Sequence, residues 1–133
     1  MKTVELGIRA EIQMEVTRET LASQWESGIV DVFSTPAMIG LMEKAAQNAI
    51  RPYLDPGETT VGTLISVRHL APTPLGIKVR AVATLKIVEG RRLLFSVEAF
   101  DELEKIGEGE HERFVVDRER FIQKANEKRK QVC

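Results

Sequence analysis

The sequence predicts an α+β domain in which one antiparallel β-sheet wraps a single long, apolar helix. Three observations carry that reading. Residues 3–16 alternate strictly, with Val4, Leu6, Ile8, Ala10, Ile12, Met14 and Val16 on one side and polar residues on the other, the period of a half-buried strand. A helix-length segment opening at Ser34-Thr35-Pro36 is apolar around about half of its circumference. Four alternating segments then follow with only short turns between them, which favours antiparallel pairing.

After the first strand, residues 17–26 read as a short helix capped by Thr17 and broken at Gly28. The long helix is predicted to start with Thr35 as cap and Pro36 in the first helical position, where its missing N–H costs nothing. It should end near Arg51, before Pro52. Met38, Ile39, Leu41, Met42, Ala45, Ala46, Ala49 and Ile50 form its apolar arc, and Lys44, Gln47, Asn48 and Arg51 a narrower polar one. Asp55-Pro56-Gly57 is a turn. Strands are predicted at 59–70, 75–89, 92–101 and 110–116, with Gly90-Arg91 turning the second into the third and Gly107 and Gly109 preceding the fourth. A final amphipathic helix covers about 117–130, with Phe121, Ile122 and Ala125 as a thin apolar stripe.

The 133 residues suit one domain with a core of its own. A net charge of −1, with one Trp, one Tyr and five Phe, argues against nucleic acid as a partner. No apolar run approaches the roughly 20 residues that span a bilayer, and the start is not a signal peptide, so a cytoplasmic setting is expected. Cys133 stands alone, which excludes a disulfide framework. Charge is uneven: residues 98–112 hold seven acids and one Lys, and residues 117–130 six bases and three acids.

Four positions could carry chemistry. His69 shares a face with Val61, Thr63, Ile65 and Val67, at the rim of the buried side, where its pKa is easily moved across neutrality. Glu43 lies at the border of the helix's apolar arc with no base one turn away, a setting that suits a general base. Thr35 has the plain role of a cap, yet the helix start also offers the N–H groups of Ala37 and Met38 to an oxyanion. Gly62 interrupts a strand, through a bulge or because another group approaches the backbone closely. His111, among acids, reads as a surface residue. Neither histidine has metal-site spacing, so no metal is expected.

The segments VFSTPAMIGLMEKAA, VGTLISVRHLAPTPLG and GEGEHERFVVD resemble the fluoroacetyl-CoA thioesterase family of the hotdog superfamily, over about residues 5–125. The family's Thr, Glu and His match Thr35, Glu43 and His69 at spacings of 8 and 26, its strand Gly matches Gly62, and its late Arg matches Arg113. The resemblance implies a hotdog fold, hydrolysis of acyl-CoA thioesters and a homodimer with active sites at the subunit interface. Coenzyme A is then part of the substrate, and no cofactor is expected. Where the family's fluoroacetyl-specific enzyme has an aromatic lid, this chain has Gly28, Ile29 and Val30. Arg113 and the basic last helix become candidates for the pantetheine or nucleotide end.

Eight helical residues rise about 12 Å, so Thr35 and Glu43 do not easily meet within one chain. The expectation is a composite site, with Glu43 and His69 from one chain and Thr35 from the other. The nucleophile stays open among Thr35, Glu43 and water, and so does pairing of dimers into tetramers. The competing readings are a hotdog hydratase or dehydratase, and a non-catalytic module that binds acyl-CoA.

Overall fold

The computed structural model describes residues 1–25 and 28–132, so the predicted end of the short helix at Glu26 and the lone Cys133 lie outside the described residues. Strand β1 (Arg9–Glu15) leads through an irregular stretch to helix α1 (Thr35–Ile50). Strands β2 (Glu58–His69), β3 (Lys78–Glu89), β4 (Arg92–Phe100) and β5 (Lys105–Asp117) follow, and helix α2 (Arg118–Val132) ends the chain. The five strands form one antiparallel sheet in the order β1-β3-β4-β5-β2, leaving β1 and β2 at its edges.

Helix α1 lies against the inner face of the sheet and touches all five strands. It buries Met38, Leu41, Met42, Ala45, Ala46, Ala49 and Ile50, the arc that its periodicity marks as apolar. The sheet answers with Val79, Ala81, Ala83 and Leu85 from β3 and Leu93, Phe95, Val97 and Ala99 from β4. Small residues let the helix come close. A Cβ on Gly107 of β5 would stand 2.5 Å from the Met38 sulfur.

Four sequence expectations change. The first strand begins at Arg9 rather than residue 3, because Gly7 turns the chain in the left-handed region (φ 95°) and ends the alternation. The helix expected over 17–26 shrinks to a 3₁₀ turn at Arg18–Thr20, after which Leu21 is drawn into an extended bridge with Phe33. The last strand starts at Lys105, so Gly107 and Gly109 lie inside it. In β2 the register against β5 slips between Gly62 and Leu64, making Thr63 an extra residue. Thr60, Gly62, Ile65, Val67 and His69 therefore share the face towards α1, while Val61 and Thr63 do not belong to it.

Candidate active site

The start of α1 builds one half of the site. Its cap is Ser34, not Thr35: Ser34 has extended backbone angles, is fully buried and accepts from the Ala37 N–H at 3.1 Å. Thr35 is thus the first helical residue, and its hydroxyl is released from capping. It meets His69, at the end of β2, with Oγ1 2.8 Å from Nδ1. The His69 ring stands edge-on to Phe33, 6.5 Å between centroids, and its Nε2 is buried with no hydrogen-bond partner among the described residues. Burial holds the His69 pKa below its ordinary value, so the ring is a neutral imidazole near pH 7.

The oxyanion donors expected from sequence are already engaged. The Ala37 N–H is taken by Ser34 Oγ, and the Met38 N–H donates to the Ser34 carbonyl at 3.0 Å. Pro36 has no N–H, so among the described residues only the Thr35 N–H of this turn stands outside these bonds. Beside the Thr35–His69 pair is a hollow of about 340 Å³ walled mainly by Ala22, Val30, Val32, Leu70, Ala71 and Pro72. Gly28 and Val30 reach it, but Ile29, the residue expected at the lid position, is 97% exposed and lines no part of it.

Two turns along α1 lies a second polar group. Glu43, 42% exposed at its side chain, stands over Gly62: a Cβ there would be 2.9 Å from Glu43 Oε2 and 3.1 Å from the His111 ring. Gly62 therefore serves both readings open from sequence, since it borders the bulge and also makes room for a carboxylate. Across from Glu43, Arg113 of β5 is only 6% exposed. Its Nε donates to Thr60 Oγ1 at 2.8 Å and Nη2 to the Thr60 carbonyl at 3.0 Å. Its Nη1 lies 3.1 Å from His111 Nε2 and 4.0 Å from Glu43 Oε2. Arg113 is turned inward onto Glu43.

His111 is the residue that sequence reading misplaced. It is 1% exposed rather than on the surface. Along β5 the outward positions are Glu108, Glu110 and Glu112, so the acids mark one face while Gly109, His111, Arg113 and Val115 occupy the other. That alternation is the signal that could have found it.

The grouping of the three expected residues also changes. Thr35 and His69 come together in one chain, and Glu43 is held elsewhere. Along α1 the separation is about 12 Å. Along β2, Gly62 and His69 are on the order of 20 Å apart. The pairing of Glu43 with His69 against a Thr35 from the other chain is overturned: the hydroxyl and imidazole belong together, and the carboxylate is the separate part.

The sequence profile of the fluoroacetyl-CoA-specific thioesterases matches residues 16–119. The fluoroacetyl-CoA thioesterase of Streptantibioticus cattleyicolor is 49% identical over 98 residues, 74% of this chain and 70% of that protein. The solved structure of the fluoroacetyl-CoA thioesterase FlK superposes with a TM-score of 0.90 at 38% identity, covering 96% of this chain and 98% of that one. A hypothetical Thermus thermophilus protein of the thioesterase superfamily gives 0.92 at 32% identity over 98% and 97%. The sheet wrapped on α1 is the hotdog fold, and the chain belongs to the fluoroacetyl-CoA-specific thioesterase family.

Proposed function

We propose that the protein hydrolyses a short acyl-CoA thioester to the free acid and CoA, at a site that two copies of the chain complete. Its family supports the reaction. The hydrogen bond between Thr35 Oγ1 and His69 Nδ1 carries the mechanism. With Nε2 walled off, the neutral ring exchanges protons through Nδ1, which makes Thr35 a base-activated hydroxyl. Thr35 Oγ1 attacks the thioester carbonyl carbon while its proton passes to His69. That proton then goes to the departing sulfur, CoA leaves as the thiol, and the acyl group is an ester on Thr35. Water attacks the ester, Glu43 takes a proton from it, and that proton returns to Thr35 Oγ1 as the ester bond breaks and the acid departs, which leaves Glu43 and His69 as they began.

Two features support a homodimer. Glu43 is kept away from the Thr35–His69 pair within one chain. Strand β2, twelve residues long, has an open edge, a ready template for a second strand. Antiparallel pairing of β2 with its copy about an axis near Ile65 and Ser66 lays His69 across from Gly62 of the partner subunit, and so brings Glu43 of the partner subunit to the hydroxyl–imidazole pair. The hollow beside that pair, with its small aliphatic walls, takes the acyl group.

Thiol release from a panel running from acetyl- and fluoroacetyl-CoA to aryl and medium-chain acyl-CoAs tests this reading. Turnover of a short acyl-CoA is expected. Background rates throughout, with CoA still bound in calorimetry, would make the protein an acyl-CoA-binding module instead.

A further inference from the structure

The Glu43 group contains a buried residue to which the proposed reaction gives no role, His111. Its two ring nitrogens have different partners. Nδ1 lies 2.8 Å from the Leu64 carbonyl, which can only accept, so Nδ1 carries the proton. Nε2 lies 3.1 Å from Arg113 Nη1, which can only donate, so Nε2 offers its lone pair. The surroundings thus fix a single neutral tautomer. Burial, with the Arg113 charge adding to it, holds the His111 pKa below its ordinary value; the Leu64 carbonyl and the Glu43 charge act in the opposite sense.

Leu64 is where pairing resumes after the Thr63 bulge, so the imidazole ties that irregular point of β2 to β5. On its other side it completes the cradle of Arg113. Thr60 holds Nε and Nη2, His111 holds Nη1, and the same Nη1 faces Glu43. Without His111 the guanidinium keeps its Thr60 contacts but loses the acceptor on Nη1, the nitrogen that faces the carboxylate.

We propose that His111 is a positioning residue for the hydrolysis: as its Nδ1–H tautomer it sets the Arg113 guanidinium against Glu43 and so fixes the carboxylate that acts on water. The proposal rests on the thioesterase reading above. His111 touches no substrate atom and acts only through Arg113.

A double-mutant cycle in thiol release tests it, with melting temperature read alongside. His111→Leu removes the acceptor and should lower kcat by about 10- to 100-fold, the scale of a misplaced catalytic group, with KM nearly unchanged. His111→Gln restores an acceptor near Nε2 and should return kcat to within about 3-fold of wild type. In an Arg113→Lys background, His111→Leu should cost nothing further. Full additivity of the two losses, or a loss in His111→Leu that Gln does not repair in a folded protein, would overturn the proposal while leaving the thioesterase reading intact. Should His111→Leu not fold, imidazole ¹⁵N shifts of the wild type decide: a protonated Nδ1 with a bare Nε2 from pH 6 to 8 is expected, and the opposite tautomer would overturn it. Absence of turnover in the wild type itself would instead remove the thioesterase reading, and this proposal with it.

Discussion

Helix α1 carries two polar stations, and they are built in opposite ways. At its first turn Thr35 and His69 hold each other beside an apolar hollow, with one ring nitrogen unpartnered among the described residues. Two turns on, Glu43 faces Arg113, which Thr60 and His111 secure from both sides. Among the described residues, the first station has a hydroxyl and a base but no carboxylate. The second has a carboxylate and a fixed cation and, among the described residues, no hydroxyl paired with a base. Each lacks what the other supplies, and their separation along one helix explains why a single chain does not combine them.

The sharpest way to break this contrast is at the first station. Thr35→Ala and His69→Ala should each lower kcat/KM by about 10²-fold or more, the size of lost acid–base catalysis. Unfolding midpoints of Thr35→Ala should stay close to wild type, since Ser34 is the cap. Wild-type turnover in Thr35→Ala would show that the hydroxyl is only structural.

At the second station, Gly62→Ala puts a methyl group 2.9 Å from Glu43 Oε2. Displacing the carboxylate by a few tenths of an ångström to about 1 Å should cost 10- to 100-fold in kcat. An unchanged kcat would mean that the position of Glu43 over Gly62 has no bearing on the reaction.

A smaller effect separates stability from chemistry. Ser34→Ala removes the cap and should cost about 1 kcal/mol in denaturant unfolding, with turnover of wild-type order. The reverse pattern would return the cap to Thr35.

Both histidines contribute to a mild pH dependence. Each has a folded-state pKa held below the ordinary 6.5 by burial. Below 6.5 the unfolded chain therefore binds protons that the folded chain refuses. Their stabilising contribution is complete above 6.5 and is lost as pH falls from there through the folded-state values. Melting temperature should decline over that range, and His111→Gln should remove its share. A flat profile between pH 7 and 5.5 would contradict the buried neutral state.

Much of this was legible in the sequence, and the exceptions have physical causes. The alternation in β3 and β4 and the apolar arc of α1 are direct readings of what must be buried, and the structure buries them. Thr35, Glu43 and His69 were singled out by their types and their places on helix and strand, and the family resemblance matched all three, but order along a chain does not say which of them share a pocket. Ser34-Thr35-Pro36 fits a cap at either hydroxyl, because proline is tolerated at the first or the second helical position. The Thr63 bulge is invisible to a period of two, and it alone moves Val61 and Thr63 off the face that carries His69. His111 was hidden because it stands among acids, although Glu108, Glu110 and Glu112 all lie on the opposite face of β5.

The central claim is that Glu43 of one chain serves Thr35 and His69 of another. Mixing inactive Thr35→Ala and Glu43→Gln proteins, with exchange of subunits, tests it directly. In a mixed dimer one site then has an intact Thr35–His69 pair and an intact Glu43 from the partner subunit. Equal mixing should restore about a quarter of wild-type thiol release. If the mixture stays as inactive as its components once mixed dimers have been verified, all three residues act within a single chain and the composite site is wrong.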